Sequence, residues 1–265
     1  MARRPSGDGA CVKSVWSVAS CKCEPLRGGA LIDPFAGSGG NGPSDGASDV
    51  SPRPRDLREP RLPPQQRLTQ KWPVLHYQEP ATYDMAHWDF RVTGLVEEEV
   101  RWTWDEFTSL PRAENVSDIH CVTHWSRFDN KWEGVHIREV LRRVRPLPGA
   151  DYVMVHADPD YTTNVTAAEL DQDDVLFAIN HDDAPLSREH GGPLRLVLPS
   201  LYFWKSAKWV RGLEFMGHEE PGFWEKGGYH VRGDPWLEER FGGRVRMTMQ
   251  EARSRALREG RRVQS

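Results

Sequence analysis

The feature that most limits the fold of this chain is the shortness of its regular stretches. Trp88–Val92 alternates apolar and polar residues and closes on Thr93-Gly94, and Val100–Trp102 follows it. Val116–Ile119, Tyr152–His156, Val175–Ile179, Leu194–Leu198 and Lys208–Phe215 are further runs of strand character bounded by turn residues. The one sustained helical period places Ile137, Val140, Leu141 and Val144 on a single face, and Pro146 and Pro148 stop it. Thr103 with Glu106, and Thr166 with Glu169, have capping-box spacing and start two more short helices. Short helices among many strands specify an α+β domain dominated by sheet, not a doubly wound one.

Composition sets the bounds of that domain. Residues 1–61 are rich in Gly, Pro, Ser and Arg without a sustained period, and such a segment buries too little apolar surface to offset its ordering entropy, so disorder is expected there. Cys21-Lys22-Cys23 lies in this segment with no second pair at ligand spacing, so no metal is expected on it. Residues 62–241 carry the patterning. Residues 242–265 form a basic tail, with Arg253, Arg255, Arg258, Arg261 and Arg262, that reads as a solvated, frayed helix. A net charge of −4 argues against nucleic acid, and there is neither a bilayer-length apolar run nor a signal-peptide h-region, so no membrane insertion is expected. Four cysteines in a chain of 265 residues make no disulfide framework, which points to a reducing, cytoplasmic setting.

The cysteine in the patterned region is Cys121, in Asp118-Ile119-His120-Cys121-Val122-Thr123-His124-Trp125-Ser126-Arg127. It falls where a strand runs out into a loop, flanked by two histidines, so it is a candidate metal ligand or nucleophile. Two other segments suit an anionic ligand. In His190-Gly191-Gly192-Pro193-Leu194-Arg195 the glycines let a backbone approach closely and the arginine offers a planar fork. In Lys205-Ser206-Ala207-Lys208-Trp209 the lysines add point charges.

In this order, and with Trp132-Glu133-Gly134-Val135 and Gly222-Phe223-Trp224…Gly228-Tyr229-His230, these segments resemble the molybdopterin-dependent oxidoreductases of the sulfite oxidase type, in particular short bacterial members without a haem domain. The resemblance runs from about Leu62 to Phe241. It implies a molybdenum–molybdopterin cofactor, with Cys121 as the protein thiolate on the metal. It also implies that His190, Arg195, Ser206, Ala207 and Lys208, with His76 and His156, contact the cofactor, and that Tyr229 lines the substrate pocket. The implied activity is oxygen-atom transfer to or from a small substrate, with electrons exchanged with an external partner because no haem-ligand motif is present. Two departures bear on the substrate. Val74 stands where sulfite oxidases place an arginine that helps hold sulfite, and the later immunoglobulin-like domain that supplies another basic residue is not matched. Arg127 is the expected substitute anchor. The alternatives are a metal-free enzyme with Cys121 as nucleophile and His120 or His124 as base, and a non-catalytic binding domain of the same fold.

Overall fold

The computed structural model describes residues 61–76, 79–80 and 82–242. The expectations for the N-terminal segment, Cys21 and Cys23, and the arginine-rich tail therefore lie outside the described residues. Two sheets account for most of the rest. The first has six strands: β1 (Arg67–Leu68), β4 (Arg112–His120), β5 (Trp125–His136), β8 (Leu176–His181), β9 (Ala184–Pro185) and β10 (Arg195–Val197). The second has five: β2 (Asp89–Gly94), β3 (Val100–Thr103), β6 (Tyr152–Ala157), β7 (Tyr161–Thr166) and β11 (Val210–Met216). The order in the second sheet is β3-β2-β11-β6-β7. In the first, β5 is central, with β4 and β8 antiparallel to it and β1 parallel at its start. The α+β, sheet-rich architecture is the one expected.

The helices are short, as the pattern requires. α1 (Trp104–Thr108) and α3 (Ala167–Leu170) each begin on a complete capping box, from Thr103 with Glu106 and from Thr166 with Glu169. α2 (Ile137–Val144) buries Ile137, Val140 and Val144 and ends on Arg145 in the left-handed region. α4 (Phe223–Lys226) is a single turn. Among the described residues no helix is long and apolar enough to cross a membrane.

One core joins the sheets. Phe90 of β2, Phe177 of β8 and Phe107 of α1 meet with ring centroids 4.9–5.8 Å apart, and Val153, Val155, Leu196, Leu213 and Phe215 pack into the same cluster. A separate small cluster holds Cys121, Val122, Tyr202 and Tyr229.

Besides the short β1, β9 and α4, three elements differ from the sequence expectation. β5 is one 12-residue strand that the alternation of apolar and polar residues does not mark. Its first half is polar because those side chains have polar partners: Arg127 pairs with Asp182, and Asn130 Nδ2 donates to the Ser117 carbonyl at 3.1 Å. β7 is additional. β11 starts at Val210, not Lys208, because Trp209 has φ 54° and interrupts the extended backbone. That break leaves Lys208 in a loop, free to turn toward the His190 segment.

Candidate active site

Cys121 closes the β4–β5 hairpin. Its N–H donates to the Trp125 carbonyl at 2.8 Å, and the His124 N–H donates back to the Cys121 carbonyl at 3.1 Å. His124 has φ 68°, the left-handed residue that a three-residue hairpin loop calls for. The leading segment straps this loop. Gln66 Nε2 donates to the Cys121 carbonyl at 3.0 Å, β1 pairs with the start of β5, and Arg61 forks onto Asp118 with contacts of 2.6 and 2.9 Å. Cys121 is only 7% exposed, and burial pushes its thiol above the ordinary range against a 3.1 Å contact from Sγ to Thr123 Oγ1. The flanking histidines direct Nδ1 elsewhere, His120 to Ser126 Oγ at 2.9 Å and His124 to the Gln65 carbonyl at 3.1 Å.

A group of cations gathers next to this loop. Arg195, the first residue of β10, is 1% exposed. Its Nη1 and Nη2 donate to the carbonyls of His190 and Ser206 at 2.7 and 2.8 Å, and its guanidinium carbon lies 4.1 Å from the Phe203 ring centroid. Nε has no partner among the described residues, and neither does the buried Nδ1 of His190. Burial lowers Arg195 to about 9. Lys208 Nζ donates to the carbonyls of Glu189 and Leu75 at 2.6 and 2.9 Å. Burial, then the charge of Arg195, brings Lys208 down to about 7, while Cys121 acts in the opposite sense. His190 falls to about 4 through burial and then Lys208. His76 joins the group: its ring meets Trp209 edge-on at 6.2 Å, and burial with Lys208 lowers its pKa. Trp72, which sequence reasoning missed, stacks on His190 at 3.9 Å.

An aromatic wall forms the other side. Tyr229 is buried, with Trp204, Trp224 and Phe241 at centroid distances of 5.1–5.2 Å, and shares a cluster with Cys121. Burial, followed by the influence of Cys121 and Glu225, raises its phenol above the usual range. Beneath it, Lys205 Nζ meets Glu225 Oε1 at 2.6 Å with both side chains fully buried, and Trp204 Nε1 donates to the same oxygen at 2.9 Å. Arg240 is a second residue that sequence reasoning missed. It is buried, and its Nη1 donates to the Val122 carbonyl at 2.5 Å. Arg240 is one of two arginines, with Arg232, in the ring-rich Pro221–Phe241 stretch, and nothing local sets it apart.

Cys121, His76, His190, Arg195, Lys208 and Tyr229 are thus brought together, while the other expected residues have partners within the chain. Arg127 is not a free anchor: its Nη2 donates to Asp182 Oδ2 at 2.6 Å and its Nη1 contacts Asn130 and His181, so its charge is already matched. His156 lies on β6 in the five-stranded sheet with Nε2 2.9 Å from Glu214 Oε2, whereas the Cys121 hairpin and Arg195 belong to the six-stranded sheet. Ser206 Oγ accepts from the Leu198 N–H at 2.9 Å, and the Ala207 carbonyl accepts from the Leu196 N–H at 2.9 Å. Gly191 and Gly192 serve the chain's own packing. Gly191 has φ 110°, and a Cβ there would press on Lys208 at 3.1 Å, while one on Gly192 would meet the Leu186 carbonyl at 2.3 Å.

Residues 76–224, more than half of the chain, match the model of the oxidoreductase molybdopterin binding domain. The chain belongs to that family. The uncharacterized oxidoreductase YuiH of Bacillus subtilis is 45% identical over 182 residues, covering 68% of this chain and 92% of that protein. The protein-methionine-sulfoxide reductase catalytic subunit MsrP of Gluconobacter oxydans is 24% identical over 163 residues, and this chain spans about half of its length, 52%. The sulfane dehydrogenase SoxCD of Paracoccus pantotrophus superposes with a TM-score of 0.48 at 19% identity, over 52% of this chain and 40% of that one.

As a member of the molybdopterin family, the protein is an oxidoreductase that binds molybdenum–molybdopterin. Its residues fit that group. A fully buried arginine with a spare N–H, beside a half-buried lysine and an unpartnered imidazole nitrogen, suits the phosphate end of an anionic cofactor. Among the described residues no cluster of three or more His, Cys, Asp or Glu could hold a metal by itself. A single soft thiolate donor at Cys121 therefore suits a metal whose other sulfur ligands arrive with the cofactor.

Proposed function

We propose that this molybdopterin oxidoreductase catalyses oxygen-atom transfer to or from the sulfur of a small substrate, with Cys121 as the metal's protein ligand. The observation that supports this reading is the meeting of two unlike surfaces at one thiol: a cation group without a carboxylate partner, and a buried aromatic wall carrying a phenol. His190, Arg195, Lys208 and His76 hold and orient the phosphate end of the cofactor. When bound, that cofactor supplies a centre able to exchange two electrons and an oxygen atom. Tyr229 orients the substrate oxygen by hydrogen bonding, and the surrounding rings exclude bulk water. In the reducing direction an S=O group becomes a sulfide and its oxygen leaves as water, consuming two protons and two electrons. The oxidising direction is the reverse. Either way an external redox partner carries the electrons. MsrP is named for methionine-sulfoxide reduction, which supports sulfur as the reacting atom.

The burial that raises Cys121 disfavours a metal-free nucleophile, because the thiolate is the reactive form and the recorded partner of Sγ is a threonine hydroxyl, not a base. The test is Cys121→Ser in protein made by a host that synthesises the cofactor, with molybdenum measured by mass spectrometry and turnover followed with small sulfoxides and sulfur oxyanions. Turnover is expected to fall by at least about 100-fold, beyond the usual loss for an outer-shell change. Unchanged metal and unchanged activity would remove Cys121 from the centre. Full activity in molybdenum-free protein, abolished by thiol alkylation, would establish the nucleophile instead.

A further inference from the structure

We infer that Trp72 is a positioning residue for the cofactor: its indole fixes the His190 imidazole by stacking, and the run of chain that carries it closes the cofactor group from outside. This rests on the placement of His190 on the cofactor proposed above. Trp72 lies ahead of residues 76–224, in the leading segment that straps the Cys121 hairpin. Pro73 biases it to extended backbone, from which the indole turns inward. The indole and the His190 ring stack with centroids 3.9 Å apart and planes 13° apart. On its other contacts the indole is backed by Trp132 of β5, edge-on at 5.5 Å, and by His181 of β8 at 4.4 Å. The Arg195 guanidinium carbon lies 5.6 Å from its centroid. Three residues on, the Leu75 carbonyl accepts from Lys208 Nζ at 2.9 Å, so the run from Trp72 to Leu75 spans from His190 to Lys208. Val74 and Leu75 turn exposed side chains outward from that run.

The His190 ring needs such a support, because its buried Nδ1 has no hydrogen-bond partner among the described residues that would set its direction. A stack sets the plane of a ring without using its nitrogens, so Nδ1 stays available to a polar atom of the cofactor. Burial and then Lys208 bring His190 down to about 4, so near neutral pH the ring is uncharged and lies against the indole without a buried charge. Trp132 and His181 in turn keep the indole from rotating away. A group that only holds a ligand-binding side chain still weakens binding when it is removed, because the side chain must then be ordered at the moment of binding. Leucine at position 72 would fill much of the space against Trp132 but could not stack, whereas phenylalanine could.

The experiment uses full-length, molybdenum-loaded protein. It is diluted into cofactor-free buffer, and release is followed as molybdenum by mass spectrometry and as pterin fluorescence in the filtrate. Trp72→Leu should release the cofactor about tenfold faster than wild type, the lower end of the range for a supporting contact. Trp72→Phe should stay within about twofold of wild type. The metal-free forms of the two variants should melt at the same temperature, so that the difference in release belongs to the stack. In a His190→Ala background, which itself releases faster, Trp72→Leu should add nothing, because its effect runs through the imidazole. The inference is overturned if Trp72→Leu releases at the wild-type rate, if Trp72→Phe releases as fast as Trp72→Leu, or if Trp72→Leu adds its full tenfold without His190. It is also overturned if metal-free Trp72→Leu melts well below metal-free Trp72→Phe, which would reduce the indole to core packing. Failure of the underlying placement looks different: His190→Ala itself would release the cofactor at the wild-type rate. Failure of the oxotransferase reading is different again, since the order of release rates would persist in a loaded protein that turns over neither sulfoxides nor sulfur oxyanions.

Discussion

Lys205 and Lys208 carry the same ammonium group three residues apart in one loop, yet their surroundings differ in kind. Lys205 is fully buried and fully answered, by Glu225 at 2.6 Å and by the backbone and side-chain oxygens of Asn164 and the carbonyl of Val231. Lys208 meets two carbonyls and the Trp209 ring, 5.4 Å from its centroid, and it faces Arg195, which has no carboxylate partner among the described residues. The same contrast separates Arg195 from Arg211, which pairs with Asp89 at 2.7 Å and Asp158 at 2.9 Å. Buried charges need partners. Where the protein supplies them the charge is structural, and where it does not the partner is a ligand. Among the described residues Arg195 and Lys208, beside the Cys121 hairpin, have no carboxylate partner, whereas Lys205 and Arg211 do.

The largest effect that would sharpen this contrast is on folding. Lys205→Met leaves Glu225 charged and buried, so the metal-free protein should lose about 3–5 kcal/mol of stability in denaturant melts. Lys208→Met should stay within about 1 kcal/mol, because removal of a poorly solvated charge offsets two lost hydrogen bonds. Equal destabilisation by both substitutions would abolish the distinction.

A smaller effect follows from the Lys208 pKa of about 7, well below the ordinary lysine value. An anion binds the protonated form, which is complete below pH 7 in the metal-free protein and must be regained by proton uptake above it. Sulfate affinity of metal-free protein should therefore be highest below pH 7 and fall above it, by at most about tenfold per pH unit. Sulfate keeps its charge over this range, so the slope belongs to the protein. Lys208→Met should flatten it, and a slope that survives the substitution would assign the proton to another group. The smallest effect is expected at Tyr229. Tyr229→Phe keeps the ring packing and removes one hydroxyl, so the melting temperature and molybdenum content should stay unchanged while turnover falls about tenfold, the scale of a single hydrogen bond. Loss of molybdenum in that variant would move the tyrosine from the substrate side to the cofactor side.

Much of the frame was legible in the chain. Both capping boxes, the apolar face of α2 and most strands follow from local spacing, because caps and periodicity are decided by residues a few positions apart. β5 was not legible, since its polar residues are explained by partners on β4 and β8 that no local window contains. Among the site residues, Cys121, His190, Arg195, Lys208 and Tyr229 were marked by motif and resemblance. His156 was drawn in by the resemblance and Arg127 as the substitute for the family's arginine, and each is bound by a carboxylate distant in sequence.

By itself, then, the sequence determined a sheet-rich α+β domain, its short capped helices and the hairpin thiol with its motif. Only the tertiary structure decided which charges are answered. Whether a buried lysine or arginine meets a carboxylate depends on residues that can lie far away in sequence, as with Arg211 and Asp89 across the β2–β11 pair. That pairing sorted Lys205 from Lys208 and Arg211 from Arg195.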